Sequence, residues 1–165
     1  MSDELETFLA QAFAEESKGA VRNKAYVLKA EKDGHPELAS LFTAVADAKS
    51  VHARRFLNLM RGKIGTTEEN LKKALENEIR ATQTMYPNMV EKAKGAVKAV
   101  KKAFIQSRRT DEEHTALFKK AMEEGGEKRG VVYYVCQICG HIHIGFVPDN
   151  CPICKAVPGR FKKVV

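Results

Sequence analysis

The sequence predicts a mainly α protein, an up-and-down four-helix bundle followed by a small β/loop metal domain. Before Gly125 the 165-residue chain is rich in Ala, Glu, Lys and Leu, with apolar residues three and four positions apart. That spacing is typical of helices that bury one face. The last 35 residues hold all four cysteines, in two Cys-x-x-Cys pairs. We therefore expect two domains, residues 1–126 and 131–165, joined by a linker over Glu123–Gly130.

The first two helices are bounded by Gly and Pro. The first is expected over about residues 5–32, because Asp33-Gly34 stops the pattern before Pro36. The second is expected over residues 36–61, since proline suits the first turn of a helix, where its missing N–H costs nothing.

The third and fourth helices follow the same rules. Thr66-Thr67 comes before two acidic residues, a capping signal that opens the third helix, whose apolar pattern continues to Met89. Pro87 is expected to bend this helix, because it removes one backbone hydrogen bond and clashes with the preceding turn. The fourth helix is expected over about residues 96–124.

Each predicted helix has a stripe of apolar residues on one face, spaced three and four positions apart. Ionisable residues interrupt each apolar stripe near its midpoint. A single residue of this kind is explained by a side chain that reaches solvent or by a satisfied polar group in the core. Several at similar depth must neutralise one another or share a cation, because an unpaired buried charge costs several kcal/mol. The six positions are Glu16, Lys49, His52, Glu78, Asp111 and His114.

These positions repeat along the chain. Glu16 and His52 are 36 residues apart, as are Glu78 and His114, and the two halves are offset by 62 residues. The same offset relates Lys49 to Asp111. The bundle is therefore predicted to be a duplicated helix pair, and two facing carboxylate–histidine halves are an arrangement that binds two iron or manganese ions.

At these residues the chain resembles the rubrerythrin family, which joins a ferritin-like bundle to a rubredoxin-like tail. The segments 13–17, 85–87 and 112–114 match the family's bundle patterns, and 136–140 with 151–154 match its tail. The resemblance implies two irons in the bundle, one in the tail and reduction of hydrogen peroxide, hence a role in oxidative stress. It also implies electron transfer between the subunits of a head-to-tail homodimer.

The resemblance assigns bundle ligands position by position and shows two departures. Lys49 occupies the position of a bridging glutamate, and Ala81 occupies another glutamate position. An ammonium has no lone pair for a metal, so we expect Lys49 to pair with Glu16 and Glu78 instead. The positions that keep a metal-binding side chain are Glu16, His52, Glu78, Asp111 and His114.

These departures leave the bundle site incomplete. Any bundle metal is therefore expected at the Glu78–Asp111–His114 half alone, as one ion. The opposing interpretation is a bundle that has become purely structural, whose polar core residues only satisfy one another. No residue is assigned a catalytic role.

The tail is predicted to bind one metal ion through its cysteines. Each Cys-x-x-Cys turn points two sulfurs inward, so two turns supply the four ligands of a tetrahedral ion. The ion is also expected to stabilise the fold, because the domain is too small for an adequate hydrophobic core. A Cys-Pro-x-Cys turn and three aromatic residues able to surround it, Tyr133, Phe146 and Phe161, favour iron, with a zinc ribbon as the alternative. The four ligands are Cys136, Cys139, Cys151 and Cys154.

Two histidines in the tail are not assigned as ligands. His141 and His143 alternate with isoleucines, so both are expected on one face of a short strand.

Two functions stay open at this stage. One is a peroxide reductase in which the tail iron passes electrons to the bundle, and the other is a non-enzymatic electron carrier or metal-binding regulatory protein. The net charge of +7 and scattered lysines are compatible with an acidic redox partner. Nucleic acid is not expected, because no aromatic residues alternate with the basic ones. With no apolar run long enough to span a membrane and no secretion signal, we expect a cytoplasmic protein.

Overall fold

The computed structural model describes residues 2–125 and 130–164 and confirms the mainly helical class with a small C-terminal β domain. It divides into two compact units, Met1–Thr66 and Thr67–Val165. The predicted boundary at residue 126 and half of the predicted linker lie outside the described residues, so that division stays a prediction. No helix in the described ranges combines the length and apolarity needed to cross a membrane.

The first unit is a helical hairpin. Helix α1 spans Asp3–Lys32, where the Ser2 hydroxyl caps the first turn, and helix α2 spans Pro36–Leu59, opening on its proline as predicted. Small side chains let the two helices approach closely. The buried positions along both helices are alanines: Ala20, Ala30, Ala39, Ala46 and Ala53.

The third helix differs from the prediction. Helix α3 covers Thr67–Arg80, a π-helical turn follows over Ala81–Met85, and helix α4 covers Tyr86–Lys92. The Tyr86 N–H bonds the Ala81 carbonyl five residues back, so the chain takes up an extra residue just before Pro87, which has no N–H to donate. The irregularity that we attributed to Pro87 therefore begins six residues earlier.

The second unit also holds helix α5, Lys98–Glu123, and the C-terminal sheet. Strands β1 (Tyr133–Cys136), β2 (Ile142–Ile144) and β3 (Phe161–Val164) form an antiparallel sheet in the order β2-β1-β3.

The core of this small domain consists mainly of its metal-binding loops. Cys136, Cys151 and Ile153 are buried together, and Phe161 packs against them as predicted. Two aromatic predictions are wrong: Tyr133 lies outside this cluster, and Phe146 is 65% exposed and contacts the His143 ring instead. Phe146 lies just after β2.

Candidate metal centres

The four cysteine sulfurs of the tail converge as a metal site requires. Their sulfurs all lie within 4.8 Å of one another. The closest pairs, Cys136–Cys154 and Cys139–Cys151, are 3.6 Å apart, too far for a disulfide. A tetrahedral ion with bonds of about 2.3 Å separates its sulfurs by about 3.8 Å. The donor set therefore fits one tetrahedral iron or zinc ion.

The backbone builds both cysteine turns by the same hydrogen bonds. The Gly140 N–H donates to the Cys136 carbonyl, and the Lys155 N–H donates to the Cys151 carbonyl, each over 2.9 Å. Both donors adopt a left-handed conformation, with φ of 84° and 66°. Glycine adopts this conformation freely at position 140, whereas the side chain of Lys155 makes it costly.

Burial makes it costly for all four thiols to ionise without a metal. Burial raises the pKa of the Cys139 thiol and that of Cys154. Burial also opposes ionisation of Cys151, but hydrogen bonds from the N–H groups of Cys154 and Ile153 and from the Cys139 and Cys154 side chains together outweigh it and lower its pKa. One thiolate therefore forms readily, whereas a full set needs the positive charge of an ion.

A second candidate centre lies between α3 and α5 in the same unit. Glu78, Asp111 and His114 offer donor atoms that all lie within 4.8 Å, at intermediate burial. Donors this close can bind one ion once the three side chains close around it. Two carboxylates and one imidazole suit a divalent iron, manganese or zinc ion.

The carboxylates of this cluster carry an electrostatic cost. Burial raises the pKa of Glu78, and the neighbouring Asp111 raises it further. Burial also raises the pKa of Asp111, against the opposite effect of His114. A bound cation removes this cost because it stabilises both charged forms.

The His114 ring links this cluster to the cysteine site. Its Nε2 lies 3.2 Å from the Gly140 carbonyl oxygen, and its Nδ1 lies 3.6 Å from an Asp111 oxygen. A carbonyl only accepts, so Nε2 carries the proton and Nδ1 keeps its lone pair for a metal. Metal-binding histidines usually donate their second N–H in this way.

The corresponding half-site of the first unit does not fit a metal. One Glu16 oxygen lies 3.3 Å from both Lys49 Nζ and His52 Nδ1, and the other lies 3.4 Å from Lys49 Nζ. The predicted Lys49–Glu16 pair is therefore present. Gly19 provides the space, because a Cβ there would stand 2.7 Å from Lys49 Cδ. The pairing of Lys49 with Glu78 stays a prediction.

One functional contact of the tail was not predicted from the sequence. His141 and His143 lie on one side of the sheet as expected, with ring centroids 5.8 Å apart. His141, however, is buried and bonds Glu113 of α5 through its Nδ1. In the sequence, the Glu-Glu-His run at residues 112–114 of α5 indicated only the resemblance to the family. No local sequence pattern pairs Glu113 with a residue 28 positions away.

A helical protein with a carboxylate–histidine cluster and a C-terminal four-cysteine domain belongs to the class of ferritin-like non-haem iron proteins with a rubredoxin-like tail. The chain belongs to the rubrerythrin family: the rubrerythrin family model matches residues 7–122, and the model of the rubrerythrin rubredoxin-like domain matches residues 134–162. The predicted family and fold are thereby confirmed, and the four cysteines form a rubredoxin-like metal site.

Known relatives extend over nearly the whole chain. Rubrerythrin-2 of Clostridium acetobutylicum is 25% identical, with 94% of each chain covered. Nigerythrin of Nitratidesulfovibrio vulgaris is 27% identical over 88% of this chain and 79% of its own. A solved structure of nigerythrin in a mixed-valence state has a TM-score of 0.56 and 24% identity, covering 96% of this chain and 86% of that one. This structural likeness supports the fold.

The two cysteine turns give a paired test of backbone strain. We expect Gly140→Ala to lower the unfolding free energy of the zinc-loaded protein by about 1–2 kcal/mol, because the Cβ of alanine is strained in the left-handed conformation. Lys155→Gly should raise it by up to about 1 kcal/mol by removing the same strain. Denaturant unfolding at fixed zinc concentration measures both.

Gly159→Ala is the matched control, since Gly159 has no left-handed φ and nothing within 4 Å of an added Cβ. An unchanged Gly140→Ala protein, or a destabilised Lys155→Gly protein, would contradict this account of the turns.

Proposed function

We propose that the protein is a redox protein that carries single electrons at a rubredoxin-type iron centre in its tail. The convergence of four sulfurs at near-tetrahedral spacing carries this proposal. Iron, when bound there, supplies one-electron chemistry, whereas zinc has none. The protein supplies the four thiolates, and backbone N–H groups direct hydrogen bonds to them.

We further propose that the bundle site is incomplete and holds one metal ion, at Glu78, Asp111 and His114. Its support is the contrast between the two halves: three donors without a competing cation in one, and an ammonium on Glu16 in the other. His114 orients toward this cluster and toward the Gly140 carbonyl together. Since Gly140 directly follows Cys139, this ring provides a short route for electrons between the two centres.

Peroxide reduction is the second candidate function. It is favoured by the same His114 contact, which connects an acidic cluster with unused coordination positions to the tail centre. An apolar pocket of about 410 Å³ opens beside Glu78 and His114 and would admit a small substrate. Electron transfer needs only the tail centre, whereas peroxide reduction also needs the Glu78–Asp111–His114 cluster.

The proposal also includes compartment and partners. Four free thiols persist in a reducing compartment, which supports a cytoplasmic location and a role in oxidative stress. The net charge of +7 supports an acidic protein as redox partner.

Iron binding in the tail is tested by colour. We expect the protein produced with iron to be red, because thiolate-to-ferric charge transfer absorbs visible light, and we expect Cys151→Ser to abolish that absorption. Visible spectroscopy with metal analysis measures both. A colourless protein that holds one zinc ion through the four sulfurs would overturn the redox function.

Metal content per chain tests the bundle. We expect two ions in the parent protein, one in His114→Ala and two in His52→Ala, because only His114 belongs to the fitting donor set. The double variant Lys49→Glu/Ala81→Glu should approach three, since it removes the ammonium and adds two carboxylates. Elemental analysis after removal of loose metal gives these numbers.

The same variants separate the two candidate functions. If peroxide oxidises the reduced tail centre rapidly in the parent but slowly in His114→Ala, the cluster takes part in peroxide reduction. Equal oxidation rates in the parent and in His114→Ala would support the electron-carrier function instead. Equal metal loss from His114→Ala and His52→Ala would refute the one-ion site, because both halves would then bind together.

We also propose that the protein is a homodimer. Large apolar side chains on the two helices of the hairpin are more than half exposed: Phe8 at 52% and Leu41 at 56%. A second copy that covers these side chains would remove them from water. We expect Phe8→Ser/Leu41→Ser to shift the protein to monomer in light scattering, whereas Leu28→Ser, on the opposite side of α1, leaves a dimer. A monomeric parent would refute the dimer.

A further inference from the structure

Two neighbouring residues of α5 hold the first cysteine loop. The Glu113 carboxylate accepts a hydrogen bond from Nδ1 of His141, and the next residue, His114, bonds the Gly140 carbonyl. All four residues belong to the same compact unit. The loop that presents Cys139 is therefore attached to the bundle helix by two side chains in succession.

His141 is itself part of the metal loop. Its backbone N–H bonds the Cys139 sulfur, and its carbonyl accepts a hydrogen bond of 2.9 Å from the Cys136 N–H. Anything that fixes His141 therefore acts on both cysteines of the first pair.

The second cysteine loop has the same backbone but no such anchor. There Ala156 takes the place of His141: its carbonyl accepts from the Cys151 N–H over 2.9 Å, and its N–H bonds the Cys154 sulfur. Alanine has no polar side chain. The two loops thus differ in the one feature that reaches α5.

The anchor is buried at its His141 end. His141 is only 6% exposed and its ring stands edge-on to Phe161, whereas the Glu113 side chain is 37% exposed. Within the described residues, Nε2 of His141 is buried without a hydrogen-bond partner. Glu113 therefore provides the ring's polar contact, and such bonds to charged groups are worth more than neutral ones.

We propose that Glu113 is a positioning residue of the tail metal centre, which acts through His141 on the hydrogen bond to the Cys139 sulfur. Two consequences follow. The carboxylate holds the loop against α5, and its negative charge sets the reduction potential of the centre. The second consequence rests on the proposed redox function, whereas the first holds with any tetrahedral metal.

The direction of the potential shift follows from charge. A four-thiolate iron centre gains one negative charge on reduction, so a nearby carboxylate favours the oxidised form. Glu113→Gln keeps an oxygen that accepts the His141 bond but removes the charge. The potential should therefore rise. Glu113→Ala removes the bond as well and tests the anchor.

The experiment uses the full chain in two metal forms. In spectroelectrochemical titration of the iron form, we expect Glu113→Gln to shift to higher potential. The matched control is Glu112→Gln, which loses the same charge from the adjacent residue, where the carboxylate pairs with Arg108 over 3.0 Å. It should leave the potential near that of the parent.

The zinc form tests the anchor by hydrogen exchange. Loss of a charge-assisted bond should speed exchange of the His141 amide about tenfold in Glu113→Ala, because about 1.4 kcal/mol is a factor of ten. The Ala156 amide of the unanchored loop should not change and is the internal control.

Equal potential shifts in Glu113→Gln and Glu112→Gln would overturn the specific role of Glu113, since both would report only remote charge. Unchanged His141 exchange in Glu113→Ala would overturn the anchor. An iron form that cannot be reduced and reoxidised would refute the proposed redox function, and the zinc form would still decide the anchor.

Discussion

The structure of the tail depends on bringing four cysteine sulfurs to within 4.8 Å of one another. Four thiolates at that spacing repel one another, and burial raises the pKa of Cys139 and Cys154, so a cation among the sulfurs stabilises the arrangement. The same residues form the core: Cys136 and Cys151 are almost fully buried, and little else in the small domain is. The four sulfurs surround a space of the size of one metal ion. The strands, the two left-handed turns and the Phe161 contact hold this space together.

The two halves of the duplicated helix pair balance charge in different ways. In the first unit a tethered cation, Lys49, lies on Glu16, and Gly19 leaves room for its stem. In the second unit Glu78 and Asp111 lie together beside His114, and burial raises the pKa of both carboxyl groups. The two halves therefore place different groups beside their carboxylates: a lysine ammonium in the first and a histidine ring in the second.

Helix α5 contributes side chains to both candidate metal centres of the second unit. On one turn it carries Asp111 and His114, which face the acidic cluster, and Glu113, which reaches the cysteine loop. Glu113 and His114 are neighbours on this helix, and both bond the cysteine loop, at His141 and at the Gly140 carbonyl. The helix thus couples the geometry of the two centres through direct hydrogen bonds.

The sequence alone determined the helical class, the helix starts, the four cysteine ligands and the family, because periodicity and ligand spacing are local properties. The family resemblance also pointed to Lys49 and to the Glu78–Asp111–His114 set, since it assigns the bundle ligands position by position. The sequence could not show the π-turn at Ala81–Met85, the strained Lys155 or the exposed Phe146, which depend on packing. Only the tertiary structure paired Glu113 with His141, because a bond across 28 residues leaves no local pattern and arises where the sheet meets α5.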